Sequence, residues 1–289
     1  MAECLRKEKR LFLSTSCIMT ENIVEDIMKI SEITGNIELS GGSQQEPYLL
    51  GNLKKLKEKK DISFLIHNYF PPPKNNFVLN IANTNDVTRG FIKETMEYVR
   101  GLEIDYYSIH SGFTRDLDLE DELLSTNPRG KQYTLEGIYE NVEWFRNEFP
   151  ETKLALENMH PGNNNEENIF LGHIDRIIDI LENSEEIYLL LDLGHLKISS
   201  VILDFDFNAA VQILLDKYID RILEIHLSEN EGLCDDHNLI LSDSLQYKMI
   251  KDNAKNILQQ EINVTLEARG QSFEDIRENY LLIEEILSA

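Results

Sequence analysis

Short apolar runs rich in β-branched and aromatic residues alternate along this chain with longer stretches of helical spacing. No other feature restricts the possible folds as strongly. The runs lie at 11–18, 36–39, 62–67, 104–110, 153–158, 187–193, 221–227 and 262–268. Helical spacing occupies 21–34, 88–101, 134–149, 174–183, 208–218 and 244–260, and a last helix at 272–288 follows the eighth run. Strands that alternate with helices build a parallel sheet, because each crossover returns the chain to the same end. Eight such units in 289 residues predict an α/β fold, a single (β/α)8 TIM barrel spanning 1–289 as one domain. A doubly wound sheet is the competitor. It lacks support, since no GxGxxG or Walker motif is present and Gly41-Gly42 is a weak signal alone.

Composition narrows the partners. The chain carries 28 basic and 52 acidic residues, a net charge of −24. Such a surface repels nucleic acid and anionic lipid at long range, which argues against both as partners. No stretch approaches the length of a membrane span. Arg6, Lys7, Lys9 and Arg10 precede an apolar run in the manner of a signal peptide, but Ser14, Thr15 and Ser16 break the run and no small-residue cleavage site follows. The segment therefore reads as a lead-in to the first strand. Cys4, Cys17 and Cys234 are far apart and odd in number, forming neither a disulfide framework nor a CxxC zinc site, so a cytoplasmic location is expected. Two connections exceed what a barrel needs. They are 71–77, stiffened by three prolines, and 114–131. Both follow strands, so both are expected at the C-terminal face, where barrels carry their sites.

The ends of the strand candidates hold the chemistry. Glu38, His67, His110, Glu157, Asp192, His226 and Glu267 stand there, with His195 three residues after Asp192 and Asp235, Asp236 and His237 in the loop after the seventh strand. A closed barrel gathers such residues onto one mouth although some 200 positions separate them. Any one of them alone reads more readily as a hydrogen-bonded or ion-paired loop residue. Five of the seven histidines fall at these positions, however, and buried imidazoles and carboxylates are costly unless paired or metal-bound. Mixed imidazole and carboxylate donors suit zinc first, with manganese or iron as alternatives. Four protein ligands saturate a tetrahedral ion, so nine ligands, counted without Glu38 and with one of Asp235 and Asp236, imply two or three divalent ions with bridging carboxylates. His173 falls outside the set. His160 does too, but lies close enough to the mouth to contact substrate.

The segments LIHNYF with VLNIAN, YYSIHSGF, LALENM, LLLDLGHLKI, EIHLSENEGLCDDH and TLEARG, in this order from Leu65 to Gly270, resemble the xylose isomerase-like TIM-barrel superfamily. That group includes sugar and sugar-phosphate isomerases and epimerases, and the endonuclease IV family. The resemblance implies that His67, His110 and Glu157 bind one ion. Glu157 would bridge to a second ion held by Asp192, His226 and Glu267, and His195, Asp235 and His237 would hold a third. Asp236 rivals Asp235. Glu38 is a ligand, a substrate contact or a support to another ligand. Simple epimerases keep only Glu157, Asp192, His226 and Glu267. The fuller set here resembles the trinuclear arrangement, while the HLSENEG…DDH stretch also resembles sugar-phosphate isomerase-like members. Against DNA repair stand the PPPKNNF insertion and the charge, which three divalent ions would bring only to about −18.

Three functions compete. The first is a metal-dependent sugar or sugar-phosphate isomerase or epimerase, in which Glu157 and Glu267 exchange protons with the carbon between them. Its small phosphorylated or sugar substrate would meet Lys74, Arg115, Arg129 and Lys131 in the mouth loops, and Lys197 or Arg269 nearer the centre. The second is phosphoester hydrolysis at a three-ion site, on a substrate other than ordinary duplex DNA. The third is a non-catalytic metal-binding scaffold.

Overall fold

The computed structural model describes residues 10–20, 22–41, 47–73, 78–116, 130–161 and 168–288. Eight parallel strands form one sheet: β1 (Leu11–Ser14), β2 (Asn36–Leu39), β3 (Ser63–Ile66), β4 (Tyr106–His110), β5 (Lys153–Glu157), β6 (Ile187–Asp192), β7 (Ile222–Leu227) and β8 (Asn263–Leu266). Their order is β3-β2-β1-β8-β7-β6-β5-β4. The two outer strands meet through a parallel bridge between His67 and Ser108, and Asn68 N–H donates to Ser108 O at 2.8 Å. The sheet is thereby nearly closed, and the expected (β/α)8 barrel is the observed architecture.

Nine helices surround it among the described residues: α1 (Ile23–Ile30), α2 (Leu49–Lys60), α3 (Asp86–Gly101), α4 (Leu135–Glu148), α5 (Ile174–Asn183), α6 (Leu193–Ile202), α7 (Phe207–Lys217), α8 (Leu245–Gln259) and α9 (Phe273–Ser288). Each buries the stripe its spacing dictates. In α1, Ile23, Ile27 and Ile30 are fully buried; in α5, Ile174, Ile177, Ile180 and Leu181 face the sheet. Side-chain caps start several of them. Asn22 accepts from the N–H groups of Val24 and Glu25, and Asp206 accepts from Ala209 N–H. None of the described helices is long and apolar enough to cross a membrane.

Two helices go beyond the sequence-based expectation. The segment of α2, LLGNLKKLKEKK, carries five lysines and buries fully only Leu49 and Leu53, so its apolar stripe is too narrow to stand out. By contrast, α6 follows β6 with no intervening turn. Its first turn is capped by the strand's own last residue, as Asp192 Oδ1 accepts from His195 N–H at 2.7 Å. Leu193, Leu196 and Ile198 are buried there, so strand and helix merge into one apolar run.

Candidate metal and active site

The strand ends converge on a cavity of about 630 Å³ at the C-terminal mouth. Its walls include His67, His110, Glu157, His160, His195, Asp235, His237, Glu267 and Arg269, with Asn68, Tyr69, Phe113 and Met159 between them. Asp192, His226 and Glu38 lie beneath, fully buried. The period-two rule explains how strands deliver these groups, since alternate residues face the same side.

Glu157 is the hub. Its Oε1 lies 3.1 Å from His195 Nδ1, and its Oε2 lies 3.2 Å from both His67 Nε2 and His110 Nε2. A second group forms around His226, whose Nδ1 is 3.3 Å from Glu267 Oε2 and 3.9 Å from Asp192 Oδ2. The third gathers on Asp235. Its Oδ2 is 2.7 Å from His237 Nε2, 3.6 Å from His195 Nε2 and 4.0 Å from His160 Nε2. Asp236 is exposed, so of the two rival carboxylates only Asp235 enters the cluster.

Neighbouring groups fix how the rings point. The second nitrogen of His195 is 2.9 Å from Asn158 O, that of His237 is 2.9 Å from Glu267 O, and that of His67 is 3.2 Å from Ser108 Oγ. An Nδ1–H engaged in this way leaves Nε2 as the free donor atom, the arrangement that orients metal-binding imidazoles. His226 is turned the other way. Its Nε2 is 2.9 Å from Glu38 Oε2 and 3.5 Å from Glu224 Oε1, which leaves Nδ1 toward Asp192 and Glu267.

Electrostatics reflect this crowding. Burial alone would raise the Glu157 carboxyl, but His110, His67 and His195 together hold it well below the usual carboxylate range. Burial pushes Asp192 up to about 6 and Glu38 up to about 7, with partial relief from His195 and His226 respectively. His226 and His195 resist their burial and sit well above 6.5, because Glu38 and Glu267 surround the first and Asp192, Asp235 and Glu157 the second. Burial instead drives His110 and His160 down to about 4.

This donor set fits divalent ions. Glu38 Oε1, Asp192 Oδ2, Asp235 Oδ1 and Glu267 Oε1 are all buried without a hydrogen-bond partner. Leaving so many polar atoms unsatisfied in one place costs several kcal/mol, at roughly 1–3 kcal/mol each, unless a cation supplies the missing interaction. Triads of donor atoms within 4.8 Å of one another occur for His67, His110 and Glu157, for Asp192, His226 and Glu267, for Glu157, Asp192 and His195, for His160, His195 and Asp235, and for Glu38, His67 and His226.

The cations anticipated for substrate fare unevenly. Arg269 lines the cavity. Lys197 does not reach it, because its ammonium is 2.5 Å from Glu229 Oε1 and donates also to Asn230 O. Arg115 pairs by a backbone bridge with Gln132 and is absent from the cavity wall, and Lys131 lies 4.9 Å over the Tyr133 ring. Lys74 and Arg129 lie outside the described residues. His173 caps α5 instead, accepting from Asp175 N–H.

Sequence reasoning passed over two residues that shape the site. Asn158 clamps Asp192 by accepting from its N–H at 2.8 Å and donating to its carbonyl at 2.9 Å. Glu224 is fully buried, accepts from Tyr106 Oη at 3.0 Å and from Thr265 Oγ1 at 2.5 Å, and sits beside His226. The spacing of two between Glu224 and His226 was the available signal, since it puts both on one face of β7.

The sequence profile of the xylose isomerase-like TIM barrel matches residues 32–283. The chain belongs to that family. No curated protein matches it as a sequence relative. Among solved structures, the family fold recurs in a D-tagatose 3-epimerase-like protein (TM-score 0.71, 16% identity, 96% of this chain and 97% of that one). It recurs in an AP endonuclease of family 2 from Brucella melitensis (TM-score 0.64, 14% identity, 92% and 96%). A 3-keto-D-glucoside 4-epimerase from E. coli is similar as well (TM-score 0.61, 12% identity, 98% and 100%). At such identities the likeness speaks for the fold, and an enzyme is the coarse expectation for a family of isomerases, epimerases and endonucleases.

Proposed function

We propose that this chain is a metal-dependent isomerase or epimerase of a small sugar or sugar phosphate. The observation that carries the reading is the cavity. At about 630 Å³ it has the size of a small-molecule site, and a few polar groups converge in it between apolar walls. Glu157, Asp192, His226 and Glu267 would hold one divalent ion, zinc first, with manganese or iron as alternatives. His67 and His110 with Glu157, and His195, Asp235 and His237, would hold one or two more. Bound there, an ion supplies Lewis acidity that makes a carbon-bound proton beside a substrate carbonyl easier to remove.

The chain's own residues do the rest. Glu157 and Glu267 reach the cavity from β5 and from the end of β8, with β6 and β7 between. One carboxylate takes the proton from carbon and the other returns a proton to the opposite face, which inverts that centre. Return at the neighbouring carbon isomerises instead. Arg269 offers positive charge to a substrate phosphate or carboxylate, and His160 a hydrogen bond. Glu38, facing His226 Nε2, orients that ring. Incubation with ketoses, aldoses and their phosphates in deuterium oxide should place solvent deuterium on carbon in the product. Absence of exchange across the panel would overturn the reading.

One observation favours a second reading, phosphoester hydrolysis. Glu157 has both oxygens flanked by imidazoles, three ring nitrogens within 3.2 Å, which suits a bridging ligand better than a mobile base. Release of nitrophenol from bis(p-nitrophenyl) phosphate, with no carbon exchange, would select it.

A further inference from the structure

We propose that Lys197 is a positioning residue that builds the third donor set, by clasping the loop that carries Asp235 and His237 onto α6. The proposal rests on the reading that the mouth binds divalent ions, and it holds whichever reaction they serve.

Of the nine expected ligands, seven stand at or beside a strand end or at a helix start, while Asp235 and His237 are borne on the loop after β7. His195, their partner, lies in the first turn of α6. Two residues further along the same helix, Lys197 reaches back to the base of that loop. Its Nζ is 2.5 Å from Glu229 Oε1 and donates also to Asn230 O. Asn230 returns the contact, donating from Nδ2 to Gly194 O at 3.0 Å. Glu229 and Asn238 exchange backbone hydrogen bonds at 2.9 and 2.8 Å, so the clasped residue pairs with the one immediately after His237. The loop is thus pinned at its neck, and the pin and His195 share one helix.

Charge makes the clasp matter. Glu229 is 9% exposed, and its Oε2 has no hydrogen-bond partner. Without the ammonium its buried charge would be met only by the Asn230 N–H, 3.2 Å from Oε1, and turning it out to water would carry the neck of the loop with it. His67, His110, Glu157, Asp192, His226 and Glu267 do not depend on that neck for their placement. Loss of Lys197 should therefore remove one ion and spare the others.

The test is zinc stoichiometry by elemental analysis after chelated protein is reloaded with zinc and desalted, with the fold checked by circular dichroism. Wild type should carry three ions per chain, Lys197→Met two, and Lys197→Arg three. If Lys197→Met fails to fold, Lys197→Gln, which is polar but brings no ammonium to Glu229, should also carry two. Three ions in the methionine or glutamine variant would overturn the clasp, and so would loss of all ions together. Wild type binding two or fewer would instead sink the three-set reading on which the clasp depends.

Discussion

At Glu157 three imidazoles face one carboxylate, and this single contact set decides how the mouth responds to substitution. Glu157→Gln keeps the shape and removes the charge, so bound metal and activity should both be lost while the barrel stays folded. Elemental analysis beside circular dichroism checks this, and full occupancy in the variant would refute a bridging role. The neighbouring aspartates give a sharper contrast. Asp235 stands 2.7 Å from His237, whereas Asp236 is exposed. Asp236→Asn should change stability by no more than about 0.5 kcal/mol and leave metal content intact, as surface changes generally do. Asp235→Asn should lower metal content, and equal metal in the two variants would remove Asp235 from the site.

Among the elements, α6 ties most of the site together. Asp192 caps it, His195 opens it, and its first turn presses on the end of β7 with no room to spare. A Cβ on Gly194 would meet Ser228 Oγ at 2.8 Å and Ser228 O at 2.9 Å. Gly194→Ala should therefore destabilise by roughly 1–3 kcal/mol, the usual cost of overpacking, read as a lowered midpoint in urea. An unchanged midpoint would mean that helix and loop separate freely. The same tightness hid α6 in the sequence, because a helix that starts on a strand's last residue leaves no turn to read.

Across the whole molecule, charge and the buried cluster act together. In chelated protein, His195 and His226 keep protons that the unfolded chain releases near 6.5, since their surrounding carboxylates outweigh burial. A raised folded-state value contributes stability in full below about pH 6.5, and that contribution is lost as pH climbs toward the folded values. Asp192 and Glu38, raised to about 6 and about 7, act in the same direction over a lower window. His110 and His160, at about 4, oppose it, but their contribution is complete by pH 6.5. The melting temperature of chelated protein should thus fall as pH rises above about 6.5. With zinc bound the trend should reverse, because ligand imidazoles must be neutral and binding releases protons. Parallel profiles with and without zinc would contradict this. At −24, the protein should also show no measurable affinity for duplex DNA at physiological salt, and incision of an abasic-site duplex there would defeat the charge argument.

The alternation of apolar runs with helical spacing determined the barrel, since period two and period 3.6 are local properties that can be read without contacts. The strand-end positions of His67, His110, Glu157, Asp192, His226 and Glu267 were legible for the same reason: a parallel barrel puts every strand's end on one face. Tertiary structure alone decided the rest. It chose Asp235 over Asp236, turned Lys197 away from the cavity into an ion pair, and set Glu38 and Glu224 against His226. Each of these outcomes depends on how a loop or ring is oriented by groups distant in the chain, and such orientation leaves no periodic trace in sequence.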